Sequence, residues 1–329
     1  MQNPGELISM PVTGKPATAT APCKPPRPIG GRRLALLAAL SAALAVGFFI
    51  PLTAWLRFAM HSQFYSYMPL IPFISGYLIW QRRADLPAPG RPSWLAALAA
   101  TAAGLAVLGI YFWATGTSWV PPEQDYISVM MLAFLLLLTA VGLAVLGFTM
   151  MASISMPVAL LIFIVPYPVA ANDWLENFFQ HTSAAAAHGM YTLAGMHTTR
   201  EGILLNLPTN FSLSVEPECS GIHSTQVLLI TSLLAGNLFL TSPWRRLFLA
   251  LFVIPLAIAR NGFRIFVLGE LCVHISHDMI NTWIHHQGGP IFFGLSLIPF
   301  FAVLIWLRKG DPGSVATGKN VPPGLTKAS

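Results

Sequence analysis

Charged side chains are scarce in this sequence. Only 9% of its 329 residues are charged, whereas 55% are hydrophobic. So few polar residues cannot cover the apolar surface of a chain this long, which excludes an ordinary soluble globular protein. The composition indicates a protein whose solvent is the lipid bilayer.

Cysteine is also rare. Cys23, Cys219 and Cys272 are the three cysteines of the chain. They are too few and too widely spaced for a disulfide framework or for a metal site with several thiolate ligands. Each cysteine therefore has to be interpreted from its own surroundings.

Long apolar runs are abundant, and about eight approach the roughly 20 residues that a helix needs to cross a bilayer. We predict an all-α polytopic membrane protein with about eight transmembrane helices, at 34–56, 66–80, 94–114, 128–149, 154–170, 222–240, 247–267 and 291–307. Prolines in the second and fifth runs predict kinks or partial insertion. The predicted domains are a disordered cytoplasmic tail at 1–30, a transmembrane domain at 31–309 and a second disordered cytoplasmic tail at 310–329.

The basic residues predict the orientation of these helices. Most of the 18 Lys and Arg residues fall on the cytoplasmic side if both termini are cytoplasmic. The net charge of +6 is then a topology signal, because the basic residues stand at the ends of apolar runs rather than on one nucleic-acid-binding face. This topology leaves two long segments outside, at 171–218 and 270–290.

The first exterior segment predicts a small cap on the bundle. It begins with an amphipathic stretch, NDWLENFFQHTSAAAAHGMYTLAG, which is typical of an interfacial helix. In FSLSVE, apolar Phe211, Leu213 and Val215 alternate with polar residues, which is the period of a half-buried strand. Together with ILLNLP this strand predicts a β-hairpin.

Arg260 and Arg264 are the residues least expected inside a membrane helix, where each costs on the order of 2.5 to 3.5 kcal/mol. They are four residues apart and share one helix face near its exterior end. Two interpretations stay open. The arginines either serve a site at that face or anchor the helix at the interface by snorkelling.

Cys219 stands where the strand pattern ends and the sixth apolar run begins. A helix amino terminus and a nearby guanidinium both lower the pKa of a thiol, whereas Glu216 and Glu218 act in the opposite direction. A nucleophilic thiol is one interpretation. The other is a disulfide with Cys272, which the topology places on the same oxidising side.

Histidines crowd the second exterior segment, at positions 274, 277, 285 and 286. A histidine titrates near neutrality and is suited to general acid and base catalysis. Zinc binding is the alternative, although no His-Glu-x-x-His pattern is present.

Three short motifs follow one another on this exterior face. They are CSG at 219–221, NGFR at 261–264 and HHQGG at 285–289. In this order they resemble the exosortase and archaeosortase family of membrane cysteine transpeptidases. YSYMPLIPFISGYLIWQRR, IVPYP and REGILLNLP extend the resemblance over about 55–306. Two departures exist, since many members have His-Gly where this chain has Tyr67 and Met68, and Arg where it has His223.

The resemblance implies catalytic roles for Cys219 as nucleophile, Arg264 as oxyanion stabiliser and His285 as general acid and base. The motif spacing favours His285 over His286. The same motifs give Ser220, Gly221, Asn261 and Gly289 as supporting or substrate-binding positions, and Arg260 is added because it shares a helix face with Arg264. No cofactor and no metal are expected.

The same resemblance implies the substrates and the location. The substrates are exported proteins with a C-terminal signal of a short motif, often Pro-Glu-Pro, a spanning helix and a basic cluster. The site then lies on the outer face of the inner membrane, and the cleaved protein passes to an envelope acceptor, with polysaccharide machinery as a further partner. Two alternatives remain, namely a transporter or transferase for a lipid-linked envelope substrate, and a non-catalytic assembly factor.

Overall fold

The computed structural model describes residues 30–62, 64–116, 120–208, 212–215, 221–275 and 289–310. Within these ranges the chain forms eleven α-helices: α1 (Gly31–Gly47), α2 (Phe49–His61), α3 (Leu70–Gln81), α4 (Trp94–Thr115), α5 (Glu123–Leu146), α6 (Phe148–Ser153), α7 (Ser155–Leu160), α8 (Val169–Leu193), α9 (Ile222–Phe239), α10 (Pro243–His274) and α11 (Gly289–Lys309). A 3-10 turn, Leu161–Ile164, follows α7. Three strands are present in the same ranges: β1 (Thr199–Glu201), β2 (Leu204–Asn206) and β3 (Ser212–Ser214).

Five of these helices, α4, α5, α9, α10 and α11, are long and apolar enough to cross a membrane. Two bent pairs reach the same length and composition together, and counting each pair as one span gives up to seven in the described part of the chain. The prediction of an all-α multi-pass membrane protein is confirmed, but the count of eight is not. Helix α3, predicted as a span at 66–80, has only 12 residues.

Prolines stand at both bends. The 92° bend between the 3-10 turn and α8 contains Pro166 and Pro168, and the 75° bend between α1 and α2 is followed by Pro51. Proline has no N–H to donate to the preceding turn, so a straight helix through these positions would lack hydrogen bonds. The predicted fifth span at 154–170 is therefore a short helix and a turn.

Gly147 joins α5 to α6 at a φ of 81°. A Cβ at this position would lie 2.5 Å from the carbonyl oxygen of Arg91. We expect Gly147→Ala to lower the free energy of unfolding by about 2 kcal/mol or more, because φ 81° with ψ 166° is a conformation that costs an L-residue ~1–3 kcal/mol and a backbone oxygen cannot easily move aside. Thermal unfolding in detergent measures this loss.

The matched control for Gly147→Ala is Gly109→Ala. Gly109 lies in α4 and has no atom within 4 Å of a built Cβ. Alanine favours a helix over glycine, so this variant should unfold at the wild-type temperature or slightly above it. Equal midpoints for the two variants would contradict the steric argument.

Basic side chains meet at one end of the bundle, which we call the basic end. Arg82, after α3, donates to the backbone and side-chain oxygens of Asn237 in α9, both at 3.2 Å. Arg245, at the start of α10, donates to the carbonyl oxygen of Leu307 in α11 at 2.6 Å. The beginning of α9, at Ile222, therefore lies at the opposite end. This arrangement agrees with the predicted topology, while the orientation of the chain in the cell stays a prediction.

The predicted cap contains a three-stranded antiparallel sheet in the order β1-β2-β3. Leu205 of β2 pairs with Leu213 of β3, and both are buried. The serines of β3 are exposed, so the alternation that predicted the hairpin is confirmed within the described residues. Strand β1 was not predicted, because all three of its residues are exposed and it has no apolar pattern.

Helix α8 packs lengthwise along α10. The side chain of Asn261 donates to the hydroxyl of Ser183 at 3.0 Å, and the hydroxyl of Tyr191 donates to the carbonyl oxygen of Ile265 at 2.9 Å. From the first of these contacts to the second, the residue numbers increase in both helices, so α8 and α10 run parallel. A Cβ at Gly269 would overlap the Tyr191 hydroxyl, which explains why glycine stands there. The predicted helix is confirmed, and its position at the interface stays a prediction.

Candidate functional site

The predicted site residues divide into two groups. Three lie outside the described residues: Cys219, Ser220 and His285. Five lie within them: Gly221, Arg260, Asn261, Arg264 and Gly289.

Gly221 forms the amino-terminal cap of α9 in a left-handed conformation, with φ 76° and ψ 11°. A Cβ there would lie 3.0 Å from the Nη2 atom of Arg260 and 3.1 Å from the side chain of Asn261. Both the backbone conformation and the close approach therefore require glycine. The chain enters α9 in direct contact with Asn261 of the second motif and with Arg260, which directly precedes that motif.

The Gly221 carbonyl group accepts from four donors. These are Nη2 of Arg260 at 3.2 Å, the hydroxyl of Ser224 at 3.1 Å, and the hydroxyl and backbone N–H of Thr225 at 2.7 and 3.0 Å. The start of α9 is thereby fixed to α10. Thr225 is a functional position that sequence reasoning missed, because a single threonine in an apolar helix carries no pattern.

Arg260 is enclosed by protein, with 8% of its surface exposed. Its Nη1 atom is buried and has no hydrogen-bond partner among the described residues. A guanidinium in such a position loses its hydration without full compensation, which is costly. Within the described part of the chain its side chain donates to the Gly221 carbonyl oxygen, so Arg260 acts on the position of that segment.

Asn261 lies deeper still, with 2% of its surface exposed. It joins three segments, since it donates to Ser183 of α8, belongs to α10 and lies beside Gly221. Ser183 has no exposed surface and was also missed from the sequence. Asn261 therefore fixes the relative positions of the helices around the start of α9.

Arg264 lies one turn beyond Arg260 on α10, a rise of ~6 Å, and is half-buried. The predicted shared helix face thus contains one enclosed and one accessible guanidinium. Of the two residues, Arg264 is the more exposed. Arg260 and Arg264 thus differ in burial, which the sequence did not show.

Gly289 is the first residue of α11. Three residues later, the ring of Phe292 contacts that of Phe263, with 6.1 Å between centroids. Phe263 directly precedes Arg264, so the start of α11 lies near the second motif. The described members of all three motifs therefore converge at the end of the bundle opposite the basic end.

A turn at 64–69 packs against the beginning of α9. Nδ1 of His223 lies 2.8 Å from the carbonyl oxygen of Phe64, and this nitrogen must carry the proton, because a carbonyl only accepts. The His223 ring lies 6.4 Å from that of Tyr67. In the same turn, burial raises the pKa of Tyr65 to about 12, so its phenol stays neutral at physiological pH. The two departures from the family pattern, Tyr67 and His223, are thus neighbours in space.

We expect Tyr67 and His223 to be energetically coupled. In a double-mutant cycle with Tyr67→Leu and His223→Leu, the interaction energy should be about 0.5–1.5 kcal/mol, as for other ring pairs. Chemical denaturation in detergent provides the four stabilities. The matched control pairs His223→Leu with Tyr77→Leu, since Tyr77 lies on α3 and its ring contacts Trp80 instead. Additive effects in the Tyr67 cycle would show that the contact contributes nothing.

The histidine-rich segment is described only in part. His274, in the last turn of α10, lies 3.1 Å from the Glu270 carboxylate, while His277, His285 and His286 lie outside the described residues. Cys272 is buried in the same helix. Within the described ranges no three His, Cys, Asp or Glu side chains form a group suited to a metal. The zinc and disulfide alternatives stay predictions.

Comparison with known families supports the resemblance. The sequence model of the transmembrane exosortase family matches residues 55–302, well over half of the chain. Comparisons with curated proteins and with solved structures give no match. The matched segment includes all three motifs, from Gly221 and its neighbours through Gly289. By this match over most of its length, the chain belongs to the transmembrane exosortase family.

Proposed function

We propose that this protein is a membrane-embedded cysteine transpeptidase that cleaves the C-terminal sorting signal of exported proteins. The observation that supports this most strongly is the contact of Gly221 with Arg260 and Asn261, within one turn of Arg264. It joins the residue that ends the cysteine motif to the arginine motif, although the two are about forty positions apart. Cys219 precedes Gly221 by only two residues in the sequence, which supports its assignment to the same site.

In the proposed reaction, the Cys219 thiolate attacks the carbonyl carbon of the scissile peptide bond. Arg264 stabilises the oxyanion of the tetrahedral intermediate, and His285 protonates the leaving amine as the C–N bond breaks. The resulting thioester is attacked by an amine or hydroxyl of the envelope acceptor. This second step breaks the C–S bond, transfers the acceptor's proton to His285 and regenerates the Cys219 thiolate.

Arg260 is a positioning residue in this proposal. Its Nη1 atom is enclosed, and Nη2 is engaged with the Gly221 carbonyl. A substrate oxygen would reach Arg264 first. The enclosure of Arg260 also weakens the alternative in which both arginines bind an anionic lipid-linked substrate, because that site would retain only one accessible guanidinium.

The proposed location follows from the basic end. If Arg82 and Arg245 are cytoplasmic, as their charge favours, the Gly221 end of α9 opens on the outer face of the inner membrane. Exported proteins with a motif, a spanning helix and a basic tail would meet the site there. The spanning helix would bring the scissile bond to the depth of the three motifs.

The test is processing of a tagged substrate in cells. A protein with a Pro-Glu-Pro motif, an apolar helix and a basic tail is given one epitope before the signal and another after it. Expression of this chain should separate the two epitopes, and omission of the chain should leave them joined. Equal amounts of joined protein with and without the chain would contradict the proposed function.

A further inference from the structure

A lateral groove lies between α8, α9 and α10, with a volume of about 440 Å³. This lies within the range of ligand pockets, ~300–1,000 Å³. Its wall is almost entirely apolar and contains Trp174, Phe178, Ile222, Leu251 and Ile254. Trp174 and Leu251 are 67% and 55% exposed, so the groove opens sideways, where lipid would surround the bundle.

Gln226 is the unusual residue of this groove. Only 6% of its surface is exposed, yet it lines the apolar wall, and its amide makes no hydrogen bond to any described residue. An amide has two donors and an acceptor, and burying it without partners costs about 1–3 kcal/mol. Lipid tails cannot supply these partners. The amide therefore points to an occupant with hydrogen-bonding groups of its own.

The groove is continuous with the candidate site. Ile222 lines it and directly follows Gly221, the cap that Arg260 holds. Gln226 lies one turn further along α9, ~6 Å from Ile222. A chain whose scissile bond reached Cys219 would pass into the groove within its next few residues.

We propose that this groove binds the apolar helix of the sorting signal and that Gln226 hydrogen-bonds the backbone at the beginning of that helix. The inference rests on the proposed function, because it assigns a place to the substrate of that same site. The first four N–H groups of a helix have no partner within it, and inside a membrane no water replaces them. The carbonyl of Gln226 accepts from one such N–H, while the apolar wall packs against the side chains.

Photo-crosslinking tests the occupant directly. A benzophenone amino acid replaces Phe178, which lines the groove, in a Cys219→Ala chain that retains uncleaved substrate. The matched control replaces Phe73 on α3, which is 75% exposed and does not line the groove. Adducts with the tagged substrate should form at Phe178 at least about tenfold more than at Phe73. Equal yields, or adducts with phospholipid alone at Phe178, would overturn the groove assignment.

Gln226→Leu tests the polar contact in the otherwise native chain. We expect about a tenfold loss in the rate of processing, which corresponds to one hydrogen bond inside an apolar site. Alkylation of Cys219 by a small soluble thiol reagent should be unchanged, because that reagent does not use the groove. Gln226→Asn, which retains an amide on a shorter side chain, should recover part of the rate. Wild-type processing by Gln226→Leu would overturn the role of Gln226.

The experiments separate failure of this inference from failure of the proposed function. If the Cys219→Ala chain still separates the epitopes, the transpeptidase mechanism fails, whatever the crosslinks are. If processing requires Cys219 but the substrate never crosslinks at Phe178, the mechanism stands and the groove assignment fails. Each proposal is thus contradicted by its own result.

Discussion

Replacement of Cys219 by alanine is expected to abolish separation of the two substrate epitopes, and Cys219→Ser to lower its rate by about 10³-fold or more. Removing a nucleophile from a site whose residues act together eliminates nearly all of the catalysis that they provide. A serine hydroxyl retains the shape of the thiol but is a much weaker nucleophile near neutral pH. The rate of epitope separation in cells, at matched membrane expression, is the measurement.

Two controls accompany the Cys219 variants. Cys23→Ser should retain wild-type processing, since Cys23 lies in the predicted tail and belongs to none of the motifs. Cys272→Ser should also retain wild-type processing if Cys272 is not bonded to Cys219. If the two cysteines form a disulfide, the Cys219 and Cys272 variants should change oxidation and stability in the same way. Unchanged processing by Cys219→Ala would favour the transporter. Tolerance of both Cys219→Ala and His285→Ala would favour the assembly factor.

Replacement of the two arginines is expected to have different consequences. Arg264→Gln should lower the processing rate by about 10²–10³-fold with little change in stability, as loss of an oxyanion donor does elsewhere. Arg264→Lys should recover little, because an ammonium lacks the planar fork of a guanidinium. Half-burial of Arg264 makes both substitutions compatible with folding.

Arg260→Gln is the matched control, one turn away on the same helix. It removes the donor that holds the Gly221 carbonyl and also removes a buried, incompletely bonded guanidinium. We expect a change in thermal stability and in substrate affinity rather than a selective loss of the chemical step. Single-turnover rates at saturating substrate, compared with unfolding midpoints, distinguish the two patterns. If Arg260→Gln lost the chemical step selectively while Arg264→Gln stayed active, Arg260 would be the oxyanion stabiliser and Arg264 the positioning residue.

Much of the architecture could be predicted from apolar run length and, for the hairpin, from periodicity. The runs at 94–114 and 222–240 correspond to α4 and α9 almost to the residue, because continuous apolar sequence inside a membrane permits little besides a helix. The period of two around Leu213 predicted the hairpin, since one face of that strand is buried and the other is exposed. The arrangement of buried and exposed positions is the structural feature that a sequence indicates most directly.

The features that the sequence did not predict also have physical causes. Strand β1 buries none of its residues and pairs with β2 through its backbone, so no side-chain pattern in the sequence indicates it. The 92° bend before α8 lies at Pro166 and Pro168, in the run for which the sequence predicted kinks or partial insertion. Hydropathy alone did not show that this run divides into a short helix, a turn and the start of α8.

For the candidate site, the motifs identified positions but not contacts. Nothing in the sequence linked Asn261 to Ser183, because a hydrogen bond between single small polar residues leaves no periodic signal. The family motif favoured Arg264 over Arg260, but nothing in the sequence showed that the two arginines differ in burial. Gln226 was missed for the same reason, as one amide in an apolar helix is unremarkable until a groove is found beside it.

The central claim is that Cys219 forms a covalent bond with the substrate. Acid quenching of the purified chain with tagged substrate, in the absence of acceptor, followed by intact-mass and peptide analysis, tests it most directly. We predict an adduct on the peptide containing Cys219 whose mass is that of the substrate portion before the cleavage point, and which hydroxylamine releases. Cleaved substrate without any such adduct, or the same adduct in Cys219→Ala, would contradict the account.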